Sequence, residues 1–168
     1  MNYMIKKALF NQKSILNTYS DSSIILIRIM VGAVFLAEGT QKFLYPVMRG
    51  VGRFEKMGFP NPDFFASFVG VFEVMAGLLL LLGLVTRVAA FTMLINMLVA
   101  IIVTKIPIAF GESFGPFVLR ELKTYGFWSM AHEMRTDFAM GLGSLFLIIK
   151  GRGRWSLDLF LKSTNNSR

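Results

Sequence analysis

Long apolar runs separated by short polar and glycine-rich segments dominate this chain of 168 residues. A helix needs about 20 mostly apolar residues to cross a hydrocarbon core of about 30 Å. Three runs have that length, and a fourth, 138–149, reaches it when the helix is extended back to Ser129. The pattern predicts an all-α membrane protein, a four-helix transmembrane bundle, with spans at about 24–43, 64–84, 88–106 and 129–149.

The segments between these runs predict how the spans are connected. The first connection, 44–63, contains three prolines and three glycines, which favour a loop. The second, 83–87, is so short that spans two and three should be antiparallel neighbours. The third, about 107–128, mixes aromatic residues with glycine and charged residues, a composition typical of the membrane interface. We predict an aromatic interfacial loop there.

The composition indicates that lipid is the solvent of a single domain. Hydrophobic residues make up 54% of the chain and charged residues only 17%, against about 25% in a typical soluble domain. Four spans and their connections use most of the chain, so 1–168 is predicted to be one transmembrane domain. The sequence contains no cysteine, which excludes disulfides, thiolate nucleophiles and cysteine-based metal sites within the chain.

The positive charges follow the apolar runs. A net charge of +8 would suggest nucleic acid as the partner of a soluble protein, but here Lys and Arg flank the predicted spans. That placement predicts the lipid bilayer as the partner, and no nucleic acid. With the N-terminus inside, ten of the 18 Lys and Arg residues fall on the inner side. This bias predicts a multi-pass protein of the cytoplasmic (inner) membrane with both termini in the cytoplasm, beginning with a basic lead-in at 1–23.

Ionisable residues within the predicted spans are the main indication of function. A charge in the bilayer core is costly unless it faces the bundle interior or a partner. One face of the first span carries two cations and two glycines at helical spacing, namely Arg28, Gly32, Gly39 and Lys42. Glu38 precedes Lys42 by four residues, the order that favours an ion pair within one helix.

The second and fourth spans each place an acid beside small residues. Glu73 lies between Gly70 and Gly77, and Asp137 lies one turn before Gly141. Small residues let helices approach closely, so we predict helix packing at Gly32, Gly39, Gly70, Gly77 and Gly141. The spacing along the helices predicts that Lys42, Glu73 and Asp137 reach one zone of the bundle.

Two interpretations of this zone remain open. In the first, the charges only neutralise one another and fix helix register; the expected pairs are Glu38 with Lys42, Glu73 with Arg135 or another base, and Asp137 with Arg28 or Lys42. In the second, they line a ligand-binding pocket formed by Arg28, Glu38, Lys42, Glu73, His132 and Asp137.

The single histidine, His132, limits the chemistry that this zone can perform. It is a candidate proton relay or hydrogen-bond partner of a quinone, or simply a polar residue at the interface. No metal site is predicted, since a carboxylate-bridged di-iron site needs two Glu-x-x-His motifs and the chain has none. No catalytic residue is assigned, because no serine–histidine constellation is evident.

Several short motifs, taken in order along the chain, resemble those of the DoxX family of small four-span membrane proteins. The Arg28-to-Lys42 pattern looks like the family's opening signature, and 58–60, Glu73 with Gly77 and 82–87 are similar to its middle signature. The segment 151–158, which ends in Ser-Leu-Asp, is similar to its C-terminal ending. The resemblance covers 24–159. It implies a cytoplasmic-membrane protein associated with respiratory or oxidative-stress chemistry, as in relatives that form the membrane subunit of a thiosulfate:quinone oxidoreductase.

The leading hypothesis is a DoxX-like membrane subunit, associated with an oxidoreductase system, that binds a quinone or a similar amphipathic redox ligand. Arg28 and Lys42 would donate hydrogen bonds to the ligand, and Glu73 and Asp137 would accept protons. Quinone is the one cofactor suggested, since no cofactor motif is evident in the chain. The alternatives are a non-catalytic scaffold that recruits a redox enzyme and a small proton or solute transporter. A redox partner protein and a homo-oligomer are both compatible with the sequence.

Overall fold

The computed structural model describes residues 21–160, whose regular secondary structure is helical. The predicted cytoplasmic lead-in lies mostly outside these residues. Within them the chain forms no β-strand beyond one isolated bridge between Phe114 and Phe117. The elements are α1 (Ile24–Leu44), α2 (Val51–Lys56), α3 (Pro62–Leu82), α4 (Thr86–Ala100), a π-helical segment (Ile101–Lys105), α5 (Ile106–Phe110) and α6 (Phe127–Lys150).

Three helical stretches of the described chain are long and apolar enough to cross a membrane. They are Ile24–Leu44, Pro62–Leu82 and Thr86–Phe110, the last formed by α4, the π segment and α5 together. The fourth long helix, α6, has 24 residues and a length of about 36 Å at 1.5 Å per residue. It is not among the candidate spans, and Glu133, Arg135 and Asp137 lie in its first half.

The third helical stretch continues one turn beyond the predicted boundary at 106. The helix does not end there, because the short helix α5 begins at Ile106 directly after the π segment, with Pro107 in its first turn. Proline is tolerated in the first turn of a helix because its missing N–H has no partner there. The irregular connection therefore begins at Gly111, whose φ of +70° closes α5, and it runs to Gly126.

Glycines bring α1 and α3 into direct backbone contact. A Cβ atom added to Gly39 would lie 2.8 Å from the carbonyl oxygen of Gly70, and one added to Gly77 would lie 2.6 Å from the amide nitrogen of Leu36. Gly32 is equally close to this interface, since its Cβ would lie 3.0 Å from the carbonyl oxygen of Gly77. The two helices therefore pack as one unit, with no room for a side chain at these points.

The second helix pair is formed by α4 and α6, and it meets the first pair around a core of methionine and branched residues. Gly141 is buried between α4 and α6, but its Cβ would find only an ordinary contact of 3.7 Å with Met97. The close approach on α6 is at Gly143, where a Cβ would lie 2.6 Å from a methyl group of Val31. The outward faces of the helices carry large hydrophobic side chains that are 40–66% exposed, as lipid contact requires, for example Leu26, Ile29, Met30, Met75, Val88 and Ile95.

Gly39 has no space for a Cβ atom and Gly141 has, and this difference gives a direct test of the packing. We expect Gly39→Ala to lower the free energy of unfolding by about 1–3 kcal/mol, because the new methyl group must displace backbone atoms of α3. Gly141→Ala should be neutral or stabilising by up to about 1 kcal/mol, since alanine favours the helix and the space is available. Unfolding by sodium dodecyl sulfate in mixed micelles measures both; equal losses would contradict the structure.

Candidate functional site

A cavity of about 580 Å³ lies between the two helix pairs, beside the C-terminal half of α1. Its walls come from α1, α2, α3, α4, the π segment and α6. Aromatic side chains line much of it, chiefly Phe35, Phe54, Phe59, Phe65, Phe68 and Phe72. Four cations and four acids also line it, and these are Lys42, Arg49, Arg53, Lys105, Glu38, Glu73, Glu133 and Asp137. The cavity therefore combines charged groups with an apolar wall.

Lys42 and Glu73 form a buried ion pair on one wall of the cavity. The Nζ atom of Lys42 donates a hydrogen bond to Oε2 of Glu73, and the two side chains are only 9% and 5% exposed. The amide of Asn96 on α4 donates to the other carboxylate oxygen, Oε1, at 2.9 Å. Glu73 thus has a donor on each oxygen, and the three residues connect α1, α3 and α4.

This arrangement differs from the pairs expected from the sequence. Lys42 was expected to pair with Glu38 on its own helix, but it reaches across to Glu73 and contacts only the backbone oxygen of Glu38, at 3.5 Å. Glu73 was expected to pair with Arg135 or another base, and Lys42 is that other base, whereas Arg135 is exposed and donates to the carbonyl oxygen of His132. The reason is burial: a carboxylate inside the bundle gains most from a cation that is also inside.

A second ion pair in the lining of the cavity is formed by Lys105 and Asp137. Nζ of Lys105 is 3.4 Å from Oδ2 of Asp137, and the lysine is only 7% exposed. Asp137 was expected to pair with Arg28 or Lys42, so its partner is a correction as well. Lys105 belongs to the π-helical segment, where one extra residue per turn rotates side chains relative to an α-helix. Such segments occur frequently at functional sites.

The remaining charges form the rim of the cavity. Glu133, one turn before Asp137, accepts a hydrogen bond of 2.5 Å from the exposed Arg120 of the connection. Arg49 and Arg53 come from the segment between α1 and α3, and Glu38 projects from α1. His132 is exposed and does not line the cavity.

Arg28 lies at the other end of α1, fourteen residues or about 21 Å from Lys42. It is 2% exposed and does not line the cavity. Its guanidinium donates to the carbonyl oxygens of Leu80 and Leu81, both at 2.9 Å, at the end of α3. It also donates to the carbonyl oxygens of Arg152, at 2.8 Å, and Trp155. The structure therefore places Arg28 outside the predicted pocket, where it joins the C-terminal segment to α1 and α3.

Two residues that contact the buried acids of the cavity were not identified from the sequence. Asn96 lies inside the apolar run of the third span, and a polar side chain there was a signal that could have found it. Lys105 lies next to the predicted end of that span at 106 and was not placed in the pocket, because the π segment that turns it inward leaves no pattern in the sequence. In the described part of the chain, no three acidic or histidine side chains form a group that could hold a metal ion.

Comparison with known proteins shows the family to which the chain belongs. The DoxX family model matches residues 23–106, which include Lys42, Glu73, Asn96 and Lys105. The chain is also 49% identical over 144 residues to uncharacterized membrane protein Rv3486 of Mycobacterium tuberculosis, covering 86% of this chain and 84% of that protein. No solved structure matches the chain. The alignment to the family model and the extensive identity to a membrane protein establish that this chain is a member of the DoxX family.

Proposed function

We propose that this DoxX protein is a membrane subunit that binds a quinone or a similar amphipathic redox ligand in the cavity between its helix pairs, and that it serves a membrane oxidoreductase system. The observation that carries the proposal is the wall of the cavity, where the buried Lys42–Glu73 pair and the partly buried Lys105–Asp137 pair share the lining with aromatic side chains. Its volume of about 580 Å³ falls within the usual range of about 300–1,000 Å³ for small-molecule sites.

The side of the cavity between α3 and α4 supports a ligand that arrives from the bilayer. Phe68 and Phe72 of α3 line the cavity and are nevertheless 48% and 43% exposed, and Ile95 and Val99 of α4 have the same two properties. Because lipid surrounds these side chains in a membrane, an apolar tail can lie between them while a polar head reaches the ion pairs. A lipid-soluble redox carrier has this shape.

The packing between the cavity and the Arg28 end of the bundle favours ligand binding over the conduction of protons or solutes. Toward the Arg28 end of the bundle, Val31, Leu80 and Ala90 are fully buried and belong to one continuous apolar core with Met93. A conducting path for protons or solutes needs polar groups or water along its length. The polar groups of the cavity end at this core, so the transporter alternative receives no support from the described residues.

A thermal melt in detergent tests the binding proposal. With decylubiquinone at one hundred times its dissociation constant, the protein should gain about 2.7 kcal/mol of stability. Val103→Trp should abolish the gain because Val103 lines the cavity, whereas Leu98→Trp, at an exposed position outside it, should retain the gain. If neither decylubiquinone nor a menaquinone analogue shifts the wild-type melt, quinone binding is refuted. Native mass spectrometry that then finds a bound soluble oxidoreductase would favour the scaffold alternative.

We also propose that α6 is the fourth span and that both termini are cytoplasmic. The ion pair of Asp137 with Lys105 supports this topology, since it offsets one charge that α6 would carry into the bilayer. Because the chain lacks cysteine, single cysteines can be introduced and labelled with an impermeant maleimide in intact cells. Exposed positions Glu55 and Ser113 should react, and Ser22 and Arg154 should be protected. Opposite results for Ser22 and Arg154 would rule out an even number of spans.

A further inference from the structure

The two ion pairs of the cavity differ in how many of their carboxylate oxygens accept a hydrogen bond. Glu73 receives one hydrogen bond on each carboxylate oxygen, from Lys42 and from Asn96. Each carboxylate oxygen of Glu73 thus already has a donor, and the Lys42–Glu73–Asn96 group links α1, α3 and α4.

The Lys105–Asp137 pair is incomplete. Oδ2 of Asp137 is buried and has no hydrogen-bond partner among the described residues. The nearest cation, Nζ of Lys105, is 3.4 Å away, and the pair does not form a hydrogen bond. Buried polar atoms of proteins nearly always have partners, so an unpaired carboxylate oxygen on the wall of a cavity indicates a missing donor. Lys105 supplies an ammonium group beside it whose three N–H donors need acceptors.

We infer that Lys105 and Asp137 form the recognition site for a hydroxyl group, and that the cavity therefore binds the hydroquinone form of its ligand in preference to the quinone form. This inference rests on the proposed function. One phenolic hydroxyl can donate its hydrogen to Oδ2 of Asp137 while its oxygen accepts a hydrogen bond from Lys105. The hydroxyl group thereby gives both Asp137 and Lys105 a hydrogen-bond partner.

A quinone carbonyl cannot satisfy both groups. Its oxygen accepts from Lys105 but has no hydrogen to donate, so Oδ2 of Asp137 stays unpaired beside the oxygen lone pairs of the ligand. Hydrogen bonds that involve a charged group are the stronger kind, and a site built for a hydroxyl discriminates strongly against an analogue that lacks it. We expect the dissociation constant of the hydroquinone to be about 10- to 100-fold lower than that of the quinone.

Binding of decylubiquinol and decylubiquinone to the full chain, by anaerobic isothermal titration calorimetry in detergent, tests this inference. A thiol reductant can keep the ligand reduced without changing the protein, because the chain contains no cysteine. Wild-type protein should show the 10- to 100-fold preference. Asp137→Asn should reduce it to less than about threefold, since the amide can donate to a carbonyl as well as accept from a hydroxyl.

Asp63→Asn is the matched control, because it makes the same chemical change at an exposed acid in the first turn of α3 that does not line the cavity. It should keep the preference. Equal binding of both forms by the wild type would overturn the inference and leave the proposed function intact, and so would an unchanged preference in Asp137→Asn. If neither form binds the wild type, the proposed function fails and the inference fails with it. The wild-type comparison needs no variant, so poor folding of Asp137→Asn does not weaken the test.

Discussion

Replacement of Arg28 by leucine should lower the free energy of unfolding by about 3–5 kcal/mol. The guanidinium donates to four backbone carbonyl oxygens, from Leu80, Leu81, Arg152 and Trp155. Leucine has no donors, and each carbonyl that stays buried without a partner costs about 1–3 kcal/mol. Partial exposure of the C-terminal segment should limit the total to the stated range.

Two further substitutions make this expectation specific. Arg28→Lys should recover little of the loss, because a single ammonium group cannot replace the fork of a guanidinium that reaches four acceptors. Gly83→Ala should also destabilise the same end of the bundle, since Gly83 has a φ of +69° and its Cβ would lie 2.7 Å from the guanidinium carbon of Arg28. Arg154→Gln, at an exposed arginine of the same segment, serves as the control and should change stability by less than about 0.5 kcal/mol.

The measurement is unfolding in mixed micelles combined with limited trypsin digestion of the C-terminal segment. The Arg28 variants should be cleaved faster at Arg152 and Arg154 than the wild type, because the segment is no longer held by hydrogen bonds to α1. An Arg28→Leu protein that is as stable and as resistant to trypsin as the wild type would refute this role of Arg28.

Replacement of Glu73 by glutamine should cost about 3–5 kcal/mol, the typical result when one partner of a buried ion pair is removed. Glutamine keeps the shape of the side chain and can still accept the hydrogen bond from Asn96. It cannot balance the charge of Lys42, whose side chain is 9% exposed. Glu55→Gln makes the same change at an exposed position of α2 and should have almost no effect.

A double-mutant cycle separates the loss of the pair from the cost of the unpaired lysine. Lys42→Met with Glu73→Gln removes both charges, and the double variant should be more stable than Glu73→Gln alone. If the two single effects add up to that of the double variant, Lys42 and Glu73 do not interact and the observed ion pair is not part of the folded protein in detergent.

The positions of the helices and of their contact points followed from local properties of the sequence. The apolar runs placed α1 and α3 to within two residues at each end, because burial in lipid selects whole stretches of apolar residues. The glycine spacing on α1 and α3 indicated that each packs closely against another helix, and the structure shows that they pack against each other at Gly39 and Gly77. The charges on three helices indicated a polar zone, and Lys42, Glu73 and Asp137 do line one cavity.

Only the tertiary structure decided which charged residues meet. Arg28 and Lys42 share a face of α1 in the sequence pattern, yet about 21 Å of helix separates a backbone-binding arginine from a lysine in the cavity. Lys42 pairs with Glu73 on another helix and not with Glu38 on its own helix. Lys105 points inward because it lies in a π-helical segment, which the hydrophobic periodicity of the sequence does not predict. The physical reason is that periodicity fixes the face and depth of a side chain within its own helix. Its partner depends on how neighbouring helices are rotated and how far their charges are removed from water.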